Sequence, residues 1–146
     1  MVPLESRHLS VIAAIEAAQL PNPLNLRNLH ELACRHAFRG FVAVPDSSAD
    51  PMAYVLVLAG GGSADIVSVA VAPELLRRGV ATRLLLFAFA DLAGEGVDKI
   101  TLEVAVDNAP ARALYKRLDF REIGRRPGYY RRDRELVDAL VMRRTL

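Results

Sequence analysis

The chain has 146 residues, 52% hydrophobic and 25% charged, with a formal net charge of +2. That is one domain's length in an ordinary folded composition, which excludes intrinsic disorder. Cys34 is the single cysteine, which rules out an internal disulfide framework, and no apolar run approaches the ~18 residues of a membrane-crossing helix.

Residues 6–19 place Leu9, Ile12, Ala13, Ile15 and Ala17 on a helical stripe that ends at Pro21 and Pro23. Residues 26–37 repeat the pattern through Leu26, Leu29, Ala33 and Ala37. Residues 38–44 and 52–58 read as strands split by a turn-rich 45–51 segment. Gly60-Gly61-Gly62 is a turn. Residues 65–72 follow as a continuous Val/Ile-rich strand, expected to be buried on both faces. From 79 to 93 only Thr82, Arg83 and Asp91 are polar, so this helix is expected to be buried all round and to stop at Gly94 and Gly96. Residues 99–106 alternate cleanly, with Ile100, Leu102, Val104 and Val106 on one face and Thr101, Glu103 and Ala105 on the other. Asn108 can cap a helix with Pro110 in its first turn and Ala111, Leu114 and Leu118 on its apolar stripe. Two further strands fill 120–130 and 135–143. The order implies one α/β layered domain over 1–146, a mixed sheet flanked by helices.

Three places can carry chemistry. In Val71-Ala72-Pro73-Glu74-Leu75-Leu76-Arg77-Arg78-Gly79-Val80-Ala81-Thr82 a buried strand runs through a loop into a helix. Free N–H groups at a helix start bind phosphate oxygens. Gly79 and Ala81 allow close approach, and Arg77 and Arg78 add charge. The alternative is an ordinary loop with surface arginines. The loop is not a P-loop, since no Lys-Ser/Thr follows the glycine, and one glycine does not make the dinucleotide pattern. Glu103 lies mid-strand among apolar neighbours, where partial burial would raise its pKa and suit it to accept a proton from an amine. Alternatively its face is solvated, or it pairs with an arginine. Tyr115 sits at the margin of its helix stripe, as core packing or as an acid.

Other features carry less. His30 and Cys34 lie four apart, too few ligands for zinc, so no metal is expected and Cys34 reads as a small buried hydrophobe. Tyr129 and Tyr130 either wall a cleft or are plain strand aromatics. Residues 120–146 hold eight arginines against four acids. With no stacking platform or helix-turn-helix beside them, they read as outward-facing solubilising charges, and no direct nucleic-acid binding is expected.

Together, Val71-x-Pro73, Arg77-Arg78-Gly79-Val80-Ala81, Leu102-Glu103-Val104, Asn108-x-x-Ala111, Ala113-Leu114-Tyr115 and Phe120 resemble the GNAT superfamily of acetyl-CoA-dependent N-acetyltransferases. The ending, Arg125-Arg126-Pro127-Gly128-Tyr129-Tyr130 and then Asp138-Ala139-Leu140-Val141-Met142, is similar to its RimI type, which acetylates the N-terminal alanine of a ribosomal protein. The resemblance covers roughly residues 66–143. It implies that the backbone of Val69, Ala70 and Val71 holds the pantetheine arm like an added strand, and that Arg77, Arg78, Gly79, Val80, Ala81 and Thr82 cradle the pyrophosphate. It further implies that Asn108 hydrogen-bonds the pantetheine, Glu103 is the general base and Tyr115 the general acid, with direct attack by the amine. Five features depart from the pattern, one of them the Arg-Arg-Asp-Arg-Glu-Leu-Val segment at 131–137, where the type normally has a Pro-Asp-Gly-like turn. Leu76 stands where the phosphate loop usually begins with Gln or Arg, Ala105 replaces an arginine, and Asp119 replaces a helix-ending glycine. The first strand is expected to be short or absent. The resemblance implies an amine acceptor, most readily a protein N-terminus. Separately, with no basic region, apolar stretch and cleavage site at the start and no long apolar run, the chain is expected to be cytoplasmic with no membrane association, as a monomer or homodimer. A polyamine, amino acid or aminoglycoside acceptor, or a non-catalytic acyl-CoA sensor, are the rival readings.

Overall fold

In the computed structural model, which describes residues 1–146, the chain opens with a two-residue strand, β1 (Val2–Pro3), as short as expected. A 3-10 turn leads into helix α1 (Leu9–Gln19), which buries Leu9, Ile12, Ile15 and, unexpectedly, Glu16. Helix α2 (Leu26–Ala33) starts on a reciprocal cap: the Asn28 amide donates to the Asn25 side chain and the Asn25 amide to that of Asn28. It ends four residues before the expected boundary at 37, because only Leu29 and Leu32 face the core. The cap residue beyond it, Cys34, is exposed, not the small buried hydrophobe expected.

Strands β2 (Phe38–Ala43), β3 (Ala53–Gly60) and β4 (Ser63–Val71) form an antiparallel meander. Gly61 and Gly62, at φ +60° and +76°, close the two-residue hairpin between β3 and β4. After α3 (Val80–Gly94) come β5 (Lys99–Ala105), α4 (Ala109–Arg117), β6 (Arg121–Arg132) and β7 (Glu135–Thr145). The seven strands run β1-β2-β3-β4-β5-β7-β6, with β4–β5 the one parallel pair. Helices α1 and α2 pack on one face around Tyr54, Leu56 and Ala70. The larger core, holding α3, Tyr115 and Leu118, fills the other. This is the mixed, largely antiparallel layered sheet expected. No helix is long and apolar enough to cross a membrane.

Two burial expectations fail for the same reason. Asp65 and Val67 of β4 are exposed, since α1 and α2 do not extend over the β5–β7 side of the sheet. Helix α3 buries one face only; Leu86 is 46% exposed because nothing packs outside it.

Helix α4 ends in a Schellman turn: the Phe120 amide donates to Tyr115 O at 3.0 Å and the Asp119 amide to Lys116 O at 3.1 Å. Asp119 occupies the left-handed position at φ +61°, where the missing glycine would sit. Asp119→Gly is therefore expected to stabilise the protein by about 1 kcal/mol by removing left-handed strain, raising the thermal midpoint by about 2–4 °C. A lower midpoint in a melting experiment would show that the aspartate is not strained there.

Candidate active site

The site begins with a break in pairing. β4 and β5 are registered from Ser63↔Lys99 to Ile66↔Leu102 and no further, although both strands continue. The cause lies in β4. Leu56 of β3 opposes Ser68 while Val57 opposes Ile66, so Val67 is an extra residue. A bulge bends and twists its strand, and here it turns β4 away from β5. The Ala72 amide donates to Met52 O. Alternation along the strand then turns the peptide groups of Ala70 toward β3 and those of Val69 and Val71 into the wedge, where no strand meets them. On the opposite wall the Glu103 carbonyl faces the wedge and accepts a hydrogen bond from the Tyr130 hydroxyl at 3.1 Å.

The wedge opens into a cleft of about 270 Å³ between the α1–α2 loop, β4, β5, the start of α4 and the end of β6. Glu103 and Tyr115 both line it. The Glu103 side chain, 23% exposed, is ion-paired with Arg126 Nε at 2.5 Å. Of the readings open for this residue, the arginine pair is the one found, and a cation now offsets the cost of partial burial. Arg126 reaches Glu103 from two strands away, across β7, starting opposite Ala139 and ending beside Val141, the β7 partner of Glu103. Tyr129 lies beside the same carboxyl group, whose negative charge raises its phenol above the ordinary value. Burial pushes Tyr130 up to about 12. Tyr130 is thus a wall of this cleft, whereas Tyr129 lines a neighbouring hollow with Glu103 and Arg126.

Tyr115 packs its ring against Phe120 at 5.7 Å and is 6% exposed. Burial pushes its phenol far above the ordinary value, so core packing and cleft lining coincide in one residue. Asn108 caps α4 by accepting from the Ala111 amide at 3.2 Å. Its NH₂ group stays free, so capping leaves a donor for a ligand.

At the wide end of the wedge, Gly79 is the left-handed N-cap of α3 at φ +73°, preceded by Arg77 at φ +63°. No side chain caps this helix and its first turn carries no acid. The amides of Val80, Ala81 and Thr82 therefore keep no intrahelical partner. Arg77 and Arg78 are exposed and join none of the ion pairs found. Free amides, a positive helix end and unpaired arginines fit a pyrophosphate.

A model of the acetyltransferase (GNAT) family matches residues 10–120. The chain belongs to this family. It is 42% identical over 82 residues to an N-alpha-acetyltransferase of Saccharolobus solfataricus, covering 56% of this chain and 47% of that protein. It is 38% identical over 79 residues to the [ribosomal protein bS18]-alanine N-acetyltransferase of Salmonella typhimurium, covering 54% and 53%. The matched stretches thus span about half of these relatives' own lengths. The crystal structure of the ribosomal-protein-S18-alanine N-acetyltransferase from Escherichia coli superposes with a TM-score of 0.90 at 26% identity, covering 98% of this chain and 90% of that one. Arabidopsis thaliana NAA60 in complex with acetyl-CoA shares the fold, with a TM-score of 0.86 at 18% identity over 99% and 96% of the two chains.

Glu16, which lines this GNAT cleft, and Tyr54 beneath it were not expected from sequence as parts of the site. Glu16 is fully buried beneath it and accepts from Tyr54 Oη at 2.6 Å, Ser68 Oγ and the Leu24 amide. Its position beside Ile15 in an apolar stripe was the available signal. Tyr54 lies mid-strand among apolar neighbours, and burial, with Glu16 beside it, raises its phenol strongly.

Proposed function

We propose that the chain is a single-domain, cytoplasmic, acetyl-CoA-dependent N-acetyltransferase whose acceptor is the α-amine of a protein or peptide. The observation that carries this reading is the wedge: unpaired strand edges at Val69 and Val71 join a free anion site to a cleft holding both Glu103 and Tyr115. An extended amide-bearing arm would pair with those edges as an added strand, with the Asn108 NH₂ as a further donor. Residues Arg77 to Thr82 would hold the pyrophosphate. Bound there, acetyl-CoA supplies a thioester acyl group open to direct attack by an amine.

The chain's own groups divide the proton work. Glu103 takes the proton that the acceptor ammonium must lose. An α-amine ionises near 7.7–8.0 against about 10.4 for a lysine-type amine, so it asks less of a base held by Arg126. The Tyr115 phenol, raised well above its ordinary value, holds its proton more tightly than a thiol of pKa about 8.5. It therefore supports the departing sulfur chiefly as a hydrogen-bond donor. The cleft also suits a peptide better than a polycation. Its acceptor side is formed by Leu20, Pro21 and Leu24, and Arg132 joins the lining.

The test is thiol release from acetyl-CoA with an alanine-initiated peptide, a polyamine and an aminoglycoside, followed by mass spectrometry of the products. Saturable release with the peptide and an acetyl group on its α-amine is expected. Release with the small amines alone would replace the acceptor assignment, and none with any of them would overturn the transferase reading.

A further inference from the structure

The grip of β6 on Glu103 depends on an irregularity in β6, two strands away from Glu103. Between Arg126↔Ala139 and Tyr130↔Val137, β6 has two residues more than β7. In a regular strand Tyr129 and Tyr130 would project to opposite faces. Here the bulge brings their rings into edge contact at 5.0 Å, and the Arg126 guanidinium lies 5.6 Å over the Tyr129 ring. Arg126 and Tyr129 then meet the Glu103 carboxyl group, and Tyr130 its carbonyl. Gly128, at φ +59°, is the pivot, and a Cβ there would meet Leu136 Cδ1 at 3.3 Å. Pro127 has no N–H to donate. One side chain ties down the bulge backbone: Asp138 Oδ1 accepts the Gly128 amide at 2.9 Å, while Oδ2 accepts Arg125 Nε at 2.8 Å.

We propose that Asp138 is a positioning residue for the acceptor step, holding the 127–129 bulge so that Arg126, Tyr129 and Tyr130 stay on Glu103, without a part in binding the acetyl donor. This rests on the transferase reading above.

The test uses the full chain carrying Asp138→Ala or Asp138→Asn; the asparagine oxygen can still accept the Gly128 amide. The first readout needs no turnover. The protein has four tyrosines and no tryptophan, so tyrosinate absorbance is uncluttered. Tyr54, Tyr115 and Tyr130 ionise late, which leaves Tyr129 as the first step. Its phenol is faced by Glu103, Arg126 and Tyr130. In Asp138→Ala that step should move down toward the ordinary phenol value, because the phenol moves away from the Glu103 carboxylate. In Asp138→Asn it should stay near wild type. The second readout is kinetic. Misplacement of this order costs up to about 100-fold, so the acceptor KM should rise about 10- to 100-fold in Asp138→Ala and recover most of the way in Asp138→Asn. Acetyl-CoA affinity should stay within about twofold on the same argument. An unmoved Tyr129 step in Asp138→Ala, or a parallel loss of acetyl-CoA affinity, overturns the proposal. A wild-type chain that transfers nothing overturns the transferase reading instead, and the tyrosine titration still tells the two failures apart.

Discussion

Glu103→Gln is expected to lower kcat/KM for the acceptor by about 10²–10⁴-fold, the range of a general acid–base step, with acetyl-CoA affinity unchanged. Glutamine keeps the shape but cannot take a proton. It also dissolves the pair with Arg126, whose side chain is 59% exposed. The freed guanidinium is hydrated at little cost, so the thermal midpoint should hardly move; exposed pairs contribute about 0–1 kcal/mol. That separation of rate from stability distinguishes a base from a structural ion pair. Tyr115→Phe should cost less. If the phenol gives the sulfur a hydrogen bond and not a complete proton, its loss is worth about 1.5–3 kcal/mol, or roughly 10- to 150-fold. Steady-state kinetics on both variants decide the roles. An unchanged rate in Glu103→Gln removes the base assignment, and a larger loss in Tyr115→Phe would reverse the order of importance.

The residues differ in how plainly their places could be read. Thr101, Glu103 and Ala105 share a face because strict alternation has one solution, and the Asn108 cap with its helix follows from equally local chemistry. Asp119 is left-handed, as its place in the helix-ending glycine position implies. The Val67 bulge is another matter. A Val/Ile run looks the same whether or not its partner strand skips a residue, and the skip is visible only in the pairing of Leu56 and Val57. That skip makes the wedge, so the residues proposed to hold the acetyl donor could be named from the sequence while the parting of the strands beside them could not. Arg126 on Glu103 was hidden in the same way. An arginine pair was one reading of the carboxylate, but choosing among eight tail arginines requires knowing that β7 lies between β6 and β5 and which β6 residue the bulge turns toward Glu103. Cys34 shows the reverse error: a residue type usually buried sits exposed because α2 stops one position before it.

Glu16→Ala is expected to destabilise the protein by roughly 3 kcal/mol, the loss of a buried side chain's packing together with unsatisfied buried donors. Tyr54 and Ser68 lie 3.2 Å apart and can turn to one another, which softens the loss on the sheet side. The Leu24 amide has no such recourse, because its bond to Glu16 Oε2 at 2.9 Å ties the loop after α1 to the layer beneath the cleft. The thermal midpoint should fall by about 6–12 °C at roughly 2–4 °C per kcal/mol. Glu16→Gln sharpens the assignment. Its amide oxygen can keep the bonds from Tyr54 and Ser68, but its NH₂ then faces the Leu24 N–H, donor against donor. The core should survive in that variant while the loop loosens. Leu20, Pro21 and Leu24 line the cleft on the side that the proposed function gives to the acceptor, so the acceptor KM should rise before stability falls far. If Glu16→Ala melts with the wild type, the buried carboxyl group is not what holds loop and sheet together. If Glu16→Gln instead loses stability as fully as alanine with no change in KM, the network serves the core alone.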